Sequence, residues 1–156
     1  MPVEIYSRKN RSLDTAALKR CLESLLTATK RGRASLELSF VGTRRIRELN
    51  RRHRRVDKAT DVLSFPLDRK APPKGRPWHL GEIVICTGVA GAQARRAKRS
   101  LTQQALRLAI HGFVHLHGLD HEEGERQRRA FEALERKYLR RLDKKGSIKW
   151  DGSLRL

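Results

Sequence analysis

Four of the six histidines lie within the eleven residues from His111 to His121, and the spacing of three of them is that of a metal site. If a helix extends to about residue 117, His111 and His115 lie one turn apart on one face. Their Cβ atoms are then about 5 to 6 Å apart, so both imidazoles can bind one ion. Gly118 can end this helix in the left-handed conformation that other residues resist, and the resulting turn brings His121 back as a third ligand.

Three nitrogen ligands indicate a catalytic zinc site rather than a structural one. They leave a tetrahedral zinc one position short, whereas structural sites close their shell with four protein ligands, usually including cysteine. The alternative is a helix end that is rich in histidine because imidazolium is favoured by the helix dipole. His117 lies on another helical face from His111, and we expect it to be no ligand. The sequence therefore predicts one zinc ion per chain, held by His111, His115 and His121.

Asp120 directly precedes the third predicted ligand, and two roles are open for it. It can be a turn residue whose side chain accepts hydrogen bonds from nearby amides. It can also act in catalysis, by accepting a ligand N–H or a proton from the metal-bound water. Common zinc proteases carry a glutamate general base directly after the first histidine, where this chain has Gly112. That difference weighs against a peptidase.

The charge of the chain indicates a polyanionic partner. Its 156 residues include 36 Lys and Arg against 17 Asp and Glu, which gives a formal net charge of +19. A protein with this charge concentrates on polyanions. There is no apolar run near 18 residues and no basic-then-apolar signal segment at the N-terminus, so we expect a cytoplasmic protein that binds nucleic acid and no membrane. Candidate docking surfaces are the arginine-rich stretches 44–55, 95–99 and 126–141, although a solvated helix face is the commoner role of such runs.

The remaining elements must position the histidine segment, and their apolar periodicity predicts alternating strands and helices. Ser100 and Gln103 form a capping-box pair that begins the helix carrying the first two histidines. The apolar run 83–86 is typical of a strand that is covered on both faces. The predicted strands are 2–7, 35–40, 61–66 and 80–87. The predicted helices run from Asp14 to Gly32, from Gly42 onward, from about Val89 to Lys98, from Ser100 to about 117, and from about Glu123 to Leu142. Residues 67–79 are predicted to form a loop.

These elements predict one α/β (α+β) domain. It has a small mixed sheet of about four strands, covered by about five helices, with the metal site at the end of a central helix. Residues 1–142 are predicted to form a single catalytic metallohydrolase domain, and residues 143–156 a loosely attached polar tail. Cys21 and Cys86 have no CxxC partner, and we expect both to be reduced and buried.

Three segments together resemble one known family. Residues 111–121 read HGFVHLHGLDH, residues 49–66 read LNRRHRRVDKATDVLSFP, and residues 80–83 read LGEI. In this order they are similar to the HGxLHLxGYDH signature, the asparagine, arginine and TDVLSFP segment, and the LGDI strand of the YbeY family of bacterial endoribonucleases and ribosomal RNA maturation factors. The departures from the family pattern are Val114 for leucine, Leu119 for tyrosine, His53 for the tyrosine before the arginine, and Ala59 for the proline before TDV.

The resemblance implies a zincin-like domain that binds zinc through three histidines and hydrolyses single-stranded RNA. Its implied role is small-subunit ribosomal RNA 3′ end maturation and ribosome quality control, with the small subunit and its proteins as partners. The family's histidine ligands correspond to His111, His115 and His121. Its functionally important arginine corresponds to Arg54, although Arg55 is adjacent and chemically equivalent. Arg54 would bind the scissile phosphate in a bidentate manner, while zinc activates water.

Two other functions are weighed against this one. A zinc peptidase or another small-substrate metallohydrolase on the same fold would need an acidic base near the zinc, and no charge of this size. A non-catalytic, ribosome-associated RNA-binding protein with a structural metal would need only the charge. Metal analysis and RNA cleavage with and without a chelator separate the three.

Overall fold

A computed structural model of the chain describes residues 2–29, 33–68, 72–73, 75–118 and 120–144. Within this part strands and helices alternate as far as residue 66, and the last three elements are helices. The elements are β1 (Val3–Tyr6), α1 (Thr15–Ala28), β2 (Ala34–Val41), α2 (Thr43–Arg54), β3 (Val62–Pro66), β4 (Trp78–Cys86), α3 (Thr87–Arg96), α4 (Leu101–Leu116) and α5 (Glu125–Lys144).

The four strands form one mixed sheet in the order β1-β2-β4-β3. β1 and β2 are parallel, as are β2 and β4, whereas β3 is antiparallel to β4 at the sheet edge. Leu38 is paired with Ile83, and Val84 with Leu63, which sets the register of the central strands. The predicted α/β fold with four strands and five helices is confirmed for the described residues.

Helices cover both faces of the sheet, but unequally. On one face, Leu38, Ile83 and Ile85 belong to the main core, to which α1, α4 and α5 contribute their apolar sides. On the opposite face, α2 buries Ile46 in a smaller cluster with Leu63, Val84 and Cys86. Because side chains alternate along a strand, this arrangement buries the run 83–86 on both faces, as predicted.

The ends of the helices follow from local side-chain chemistry. Asp14 accepts a hydrogen bond from the amide of Ala17 at the start of α1, 2.9 Å from Oδ1. Ser100 and Gln103 form both bonds of the predicted capping box at the start of α4. These side chains satisfy amides that have no partner within the helix. Gly118 follows α4 with a φ of +84°, the left-handed conformation expected of it.

Strand pairing that spacing does not reveal moved the start of β4, and other boundaries also differ from prediction: α3, for example, begins at Thr87 rather than at about Val89. Backbone bonds from Leu67 to Leu80 and from Asp68 to His79 continue the hairpin, so β4 begins at Trp78, inside the predicted loop. The last helix runs to Lys144, two residues beyond its predicted end. The predicted helix stop at Gly32 and residues 145–156 of the predicted tail lie outside the described residues.

Cys21 and Cys86 are both buried and unpaired with each other, as predicted. Burial raises the pKa of the Cys21 thiol to about 11, because the thiolate would lose its hydration. Among the helices described, none is long and apolar enough to span a bilayer.

Candidate metal centre

α4 and the turn after it bring together the three histidines at the positions predicted to bind metal. His111 and His115 lie one turn apart near the end of α4, and the left-handed Gly118 reverses the chain before His121. One ring nitrogen from each residue lies within 4.8 Å of the other two. The Nε2 atoms of His111 and His115 are 3.2 Å apart, so both point to the same space.

Glu135 on α5 orients the first of these rings. Its Oε1 accepts a hydrogen bond from Nδ1 of His111 at 2.6 Å. Because a carboxylate only accepts, the neutral ring carries its proton on Nδ1 and keeps a lone pair on Nε2, which faces His115. Metal-binding histidines commonly donate their other N–H to a carboxylate in this way. Nothing in the sequence marks Glu135 as part of the site, because it lies 24 residues from His111 on another helix.

Phe131, also on α5, fixes the other side of the cluster. Its ring centroid lies 4.8 Å from that of His111, 4.7 Å from that of His115 and 5.2 Å from that of His121. Its side chain is only 1% exposed. One buried aromatic ring therefore restricts all three imidazoles, a role hidden in sequence behind the apolar stripe of the helix.

The donor set fits a metal ion. Nδ1 of His121 is buried and has no hydrogen-bond partner, while its Nε2 lies 4.0 Å from a carboxylate oxygen of Glu122. A buried polar atom without a partner costs about 1 to 3 kcal/mol, which a metal bond would remove. Three imidazoles suit zinc and some other transition metals. Among the residues that the structure describes, His111, His115 and His121 form the group able to hold an ion.

His117 lies outside this group. Its Nδ1 donates to the carbonyl oxygen of Phe113 at 2.6 Å, and its ring packs against the phenyl ring of the same residue. The turn position of His117 at the end of α4 thus directs it toward the core side of the helix rather than toward His121.

A cleft of about 350 Å³ opens beside the histidines. Arg54, Ser64, His115 and Asp120 are among its lining residues. Arg54 is the last residue of α2, whereas Arg55 caps that helix with a φ of +59° and does not line this cleft. The structure thereby separates the two arginines that were equivalent in sequence.

Asp120 takes the turn role that was one of its two predicted roles. Its Oδ1 accepts a hydrogen bond from the amide of Glu122 at 2.9 Å, and its own amide donates to Gln127. The residue also lines the cleft beside His115. The turn bond and a place in the cleft are therefore compatible, and its catalytic role stays a prediction.

Gly112 shows why the base of a zinc protease has no place here. A Cβ at this position would lie 2.8 Å from Cγ2 of Ile83 and 3.0 Å from Oγ of Ser64. The residue after the first histidine therefore faces the sheet, closer than van der Waals contact would allow for a side chain. A glutamate there would have to displace the side chains of Ile83 and Ser64.

A family model described as Endoribonuclease YbeY matches residues 4–143 of the chain. The chain belongs to the YbeY family of endoribonucleases. A relative named Endoribonuclease YbeY from Aquifex aeolicus is 37% identical over 136 residues, which cover 87% of this chain and 89% of the relative. One of the same name from Persephonella marina is 36% identical over 126 residues, 81% of this chain and 82% of the relative.

A solved structure agrees with this assignment at the level of the fold. The solution structure of a protein from Thermotoga maritima superposes with a TM-score of 0.56 at 25% sequence identity, over 98% of this chain and 99% of that one. Membership of the family makes the protein a ribonuclease by class, and its histidine cluster belongs to a segment within the family match.

Proposed function

We propose that the protein is a zinc-dependent endoribonuclease that cuts single-stranded RNA. One observation carries the proposal: three imidazoles converge on one point, beside a cleft that Arg54 also lines. The net charge of +19 suits a polyanionic substrate, and the relatives named above are endoribonucleases. We further propose that the substrate is small-subunit ribosomal RNA, processed at its 3′ end in the cytoplasm, where ribosomal proteins are partners.

In this proposal His111, His115 and His121 hold one zinc ion per chain. Bound zinc supplies a Lewis acid and a source of hydroxide at neutral pH, which compensates for the missing glutamate base. Glu135 and Phe131 hold the rings so that their nitrogens converge before metal binds. The protein's part in catalysis is thus to present preorganised ligands on a rigid helix end.

Arg54 is assigned to the scissile phosphate. Its side chain is exposed at the cleft, and a guanidinium can form two parallel hydrogen bonds to phosphate oxygens, which lysine cannot. These bonds strengthen as negative charge develops on the phosphoryl group. Asp120 is assigned to accepting a proton within the cleft, since its Oδ1 is already held in place by the amide of Glu122.

The crowding at Gly112 disfavours a peptidase. Metal content and RNA cleavage test the nuclease against a purely structural metal. Wild-type protein is expected to contain about one zinc per chain, to cleave single-stranded RNA, and to lose cleavage in chelator until zinc is restored. His115→Ala should lose metal and cleavage while keeping its affinity for RNA, which depends on surface charge.

The matched control is His117→Gln, which keeps an N–H donor for the carbonyl of Phe113 and should retain zinc. Equal cleavage by wild type and His115→Ala, in preparations cleared of contaminating nuclease, would remove zinc catalysis. The choice of substrate is tested separately, by mapping product ends on small-subunit precursor RNA and on an unrelated RNA of the same length. Cleavage without preference for the precursor would contradict the ribosomal part of the proposal.

A further inference from the structure

A basic cleft of about 860 Å³, separate from the one beside the metal centre, lies at the opposite end of α2 from Arg54. Arg8 and Lys9 follow β1, and Arg44 and Arg45 open α2 directly after β2. Because β1 and β2 are parallel neighbours, their carboxyl ends bring these two segments to one edge of the sheet. The four cations share the cleft with a single acidic lining residue, Glu48, which pairs with Arg45.

Two of these cations, Arg44 and Arg45, occupy positions that helix stability disfavours. Arg44 and Arg45 stand in the first turn of α2, which contains no acid and whose N-cap, Gly42, provides no side-chain hydrogen bond. The start of α3, also without an acid or a side-chain cap, is close by: a Cβ on Gly88 would lie 3.4 Å from Cγ2 of Thr43. Positive charge at the positive end of a helix is unfavourable, so stability alone would place acidic residues here.

A local rule broken in this way, with one ion pair from Arg45 to Glu48 set against four cations, indicates a functional surface. The favourable partner for converging cations is a polyanion, which relieves their mutual repulsion as it binds. α2 joins this cleft to the metal centre, because its first turn lines one and its last residue lines the other. Its 12 residues make the distance along the helix about 18 Å.

We infer that the cleft formed by Arg8, Lys9, Arg44 and Arg45 is a second phosphate-binding site, which holds the same single-stranded RNA beyond the part engaged at the metal centre. This inference rests on the proposed function for the identity of its ligand. A strand must be long enough to span α2 before it can use both sites. The site therefore selects long RNA over short RNA, without contacting the bond that is cut.

The test measures RNA binding in the presence of chelator, so that no cleavage occurs. The probes are oligoribonucleotides of about 4 and about 16 nucleotides, the ends of the usual range of single-strand site sizes. Wild type is compared with Arg44→Glu and with Arg20→Glu, an equal change of charge at an exposed position on α1, which packs against the opposite face of the sheet. We expect Arg44→Glu to weaken binding of the long probe about tenfold and to lower its salt dependence by about one phosphate contact.

Arg44→Glu should reduce the affinity for the short probe much less than the affinity for the long one. Arg20→Glu should reduce the affinity for both probes slightly and equally. Arg44→Glu should also raise the Tm by about 1 to 3 °C, because it places an acid at the helix N-terminus. Opposite signs of the stability and affinity changes distinguish a binding site from damage to the fold. Arg44→Gln removes the positive charge without adding a negative one. It should therefore also lower the affinity for the long probe and raise the Tm, but by less than Arg44→Glu.

An equal loss for both probe lengths, or a loss no larger than that of Arg20→Glu, would overturn the inference. Its failure is separable from that of the proposed function. If wild type binds the long probe through Arg44 but never cleaves RNA, the second site stands and the nuclease proposal fails. If wild type cleaves RNA and Arg44→Glu keeps the affinity of Arg20→Glu, the nuclease stands and the second site fails.

Discussion

The two ends of α2 border clefts that are built in opposite ways. At the metal centre, Phe131 packs against all three imidazoles, and Gly112 lies against the sheet with no room for a side chain. At the start of α2, the cations are exposed, and a Cβ on Gly42 would meet nothing within 4 Å. Cutting a bond needs atoms held to fractions of an ångström, whereas holding a flexible polyanion needs charge more than geometry.

The largest effect should come from Arg54, which lines the cleft beside His115. Arg54→Ala is expected to lower the cleavage rate about 100-fold while zinc stays bound, because a donor to the developing phosphoryl charge is lost. The control is Arg55→Gly, which removes the same charge one residue later and suits the left-handed φ of +59° there. Single-turnover cleavage and metal analysis measure both variants; equal rates in the two would show that charge, not position, matters at this end.

A smaller effect is expected from the residue that orients His111. Glu135→Gln keeps an acceptor for Nδ1 but removes its charge, so zinc affinity should fall by about 10-fold or more. Glu132→Gln, on the same helix and paired with Arg128 at the surface, is the control. Competition with a chelator gives the affinities, and the visible spectrum of the cobalt-substituted protein reports ligand geometry. Unchanged affinity in Glu135→Gln would mean that packing alone positions the ring.

The difference in packing can be measured with two matched glycine substitutions. Gly112→Ala should destabilise the metal-free protein by about 1 to 2 kcal/mol, since overpacking costs more than the helix propensity gained. Gly42→Ala should change the stability by less than about 1 kcal/mol, because open space surrounds it. Chemical denaturation provides both values, and similar losses of stability at the two sites would show that Gly112 is no more tightly packed than Gly42.

The smallest effect concerns the exposed ion pair that stabilises the loop after α2. Arg47 binds both carboxylate oxygens of Asp57, at 2.8 and 3.1 Å, and this bond lowers the pKa of Asp57. A lowered folded-state pKa gives stability that is present above the unfolded pKa and lost as the pH falls through the folded value.

Asp57→Asn should therefore melt slightly below wild type at neutral pH, and the two should converge as the pH falls below about 4. The difference in melting temperature between Asp57→Asn and wild type should also become smaller in high salt, as expected of an exposed ion pair. Thermal melting at several pH values checks this. A difference in melting temperature that stayed the same in acid and in high salt would show that something other than charge stabilises the loop.

Several features of the fold and the site were readable from the sequence because their causes are local. The caps at Asp14 and Ser100 act within one helical turn. Gly118 adopts a left-handed backbone conformation that glycine accepts more readily than other residues. The spacing of His111 and His115 follows from the period of a helix. The family signature implied the same three histidine ligands and pointed to Arg54, with Arg55 adjacent and chemically equivalent.

The sequence by itself determined the histidine spacing, the excess of positive charge and the order of strands and helices. Only the tertiary structure decided that α5 supplies Glu135 and Phe131 to the metal centre, that Gly112 faces the sheet, and that the cations after β1 meet those at the start of α2. The physical reason is distance along the chain. Periodicity and capping are fixed by neighbours a few residues apart, whereas these contacts join segments that meet only once the sheet has formed and the helices have packed against it.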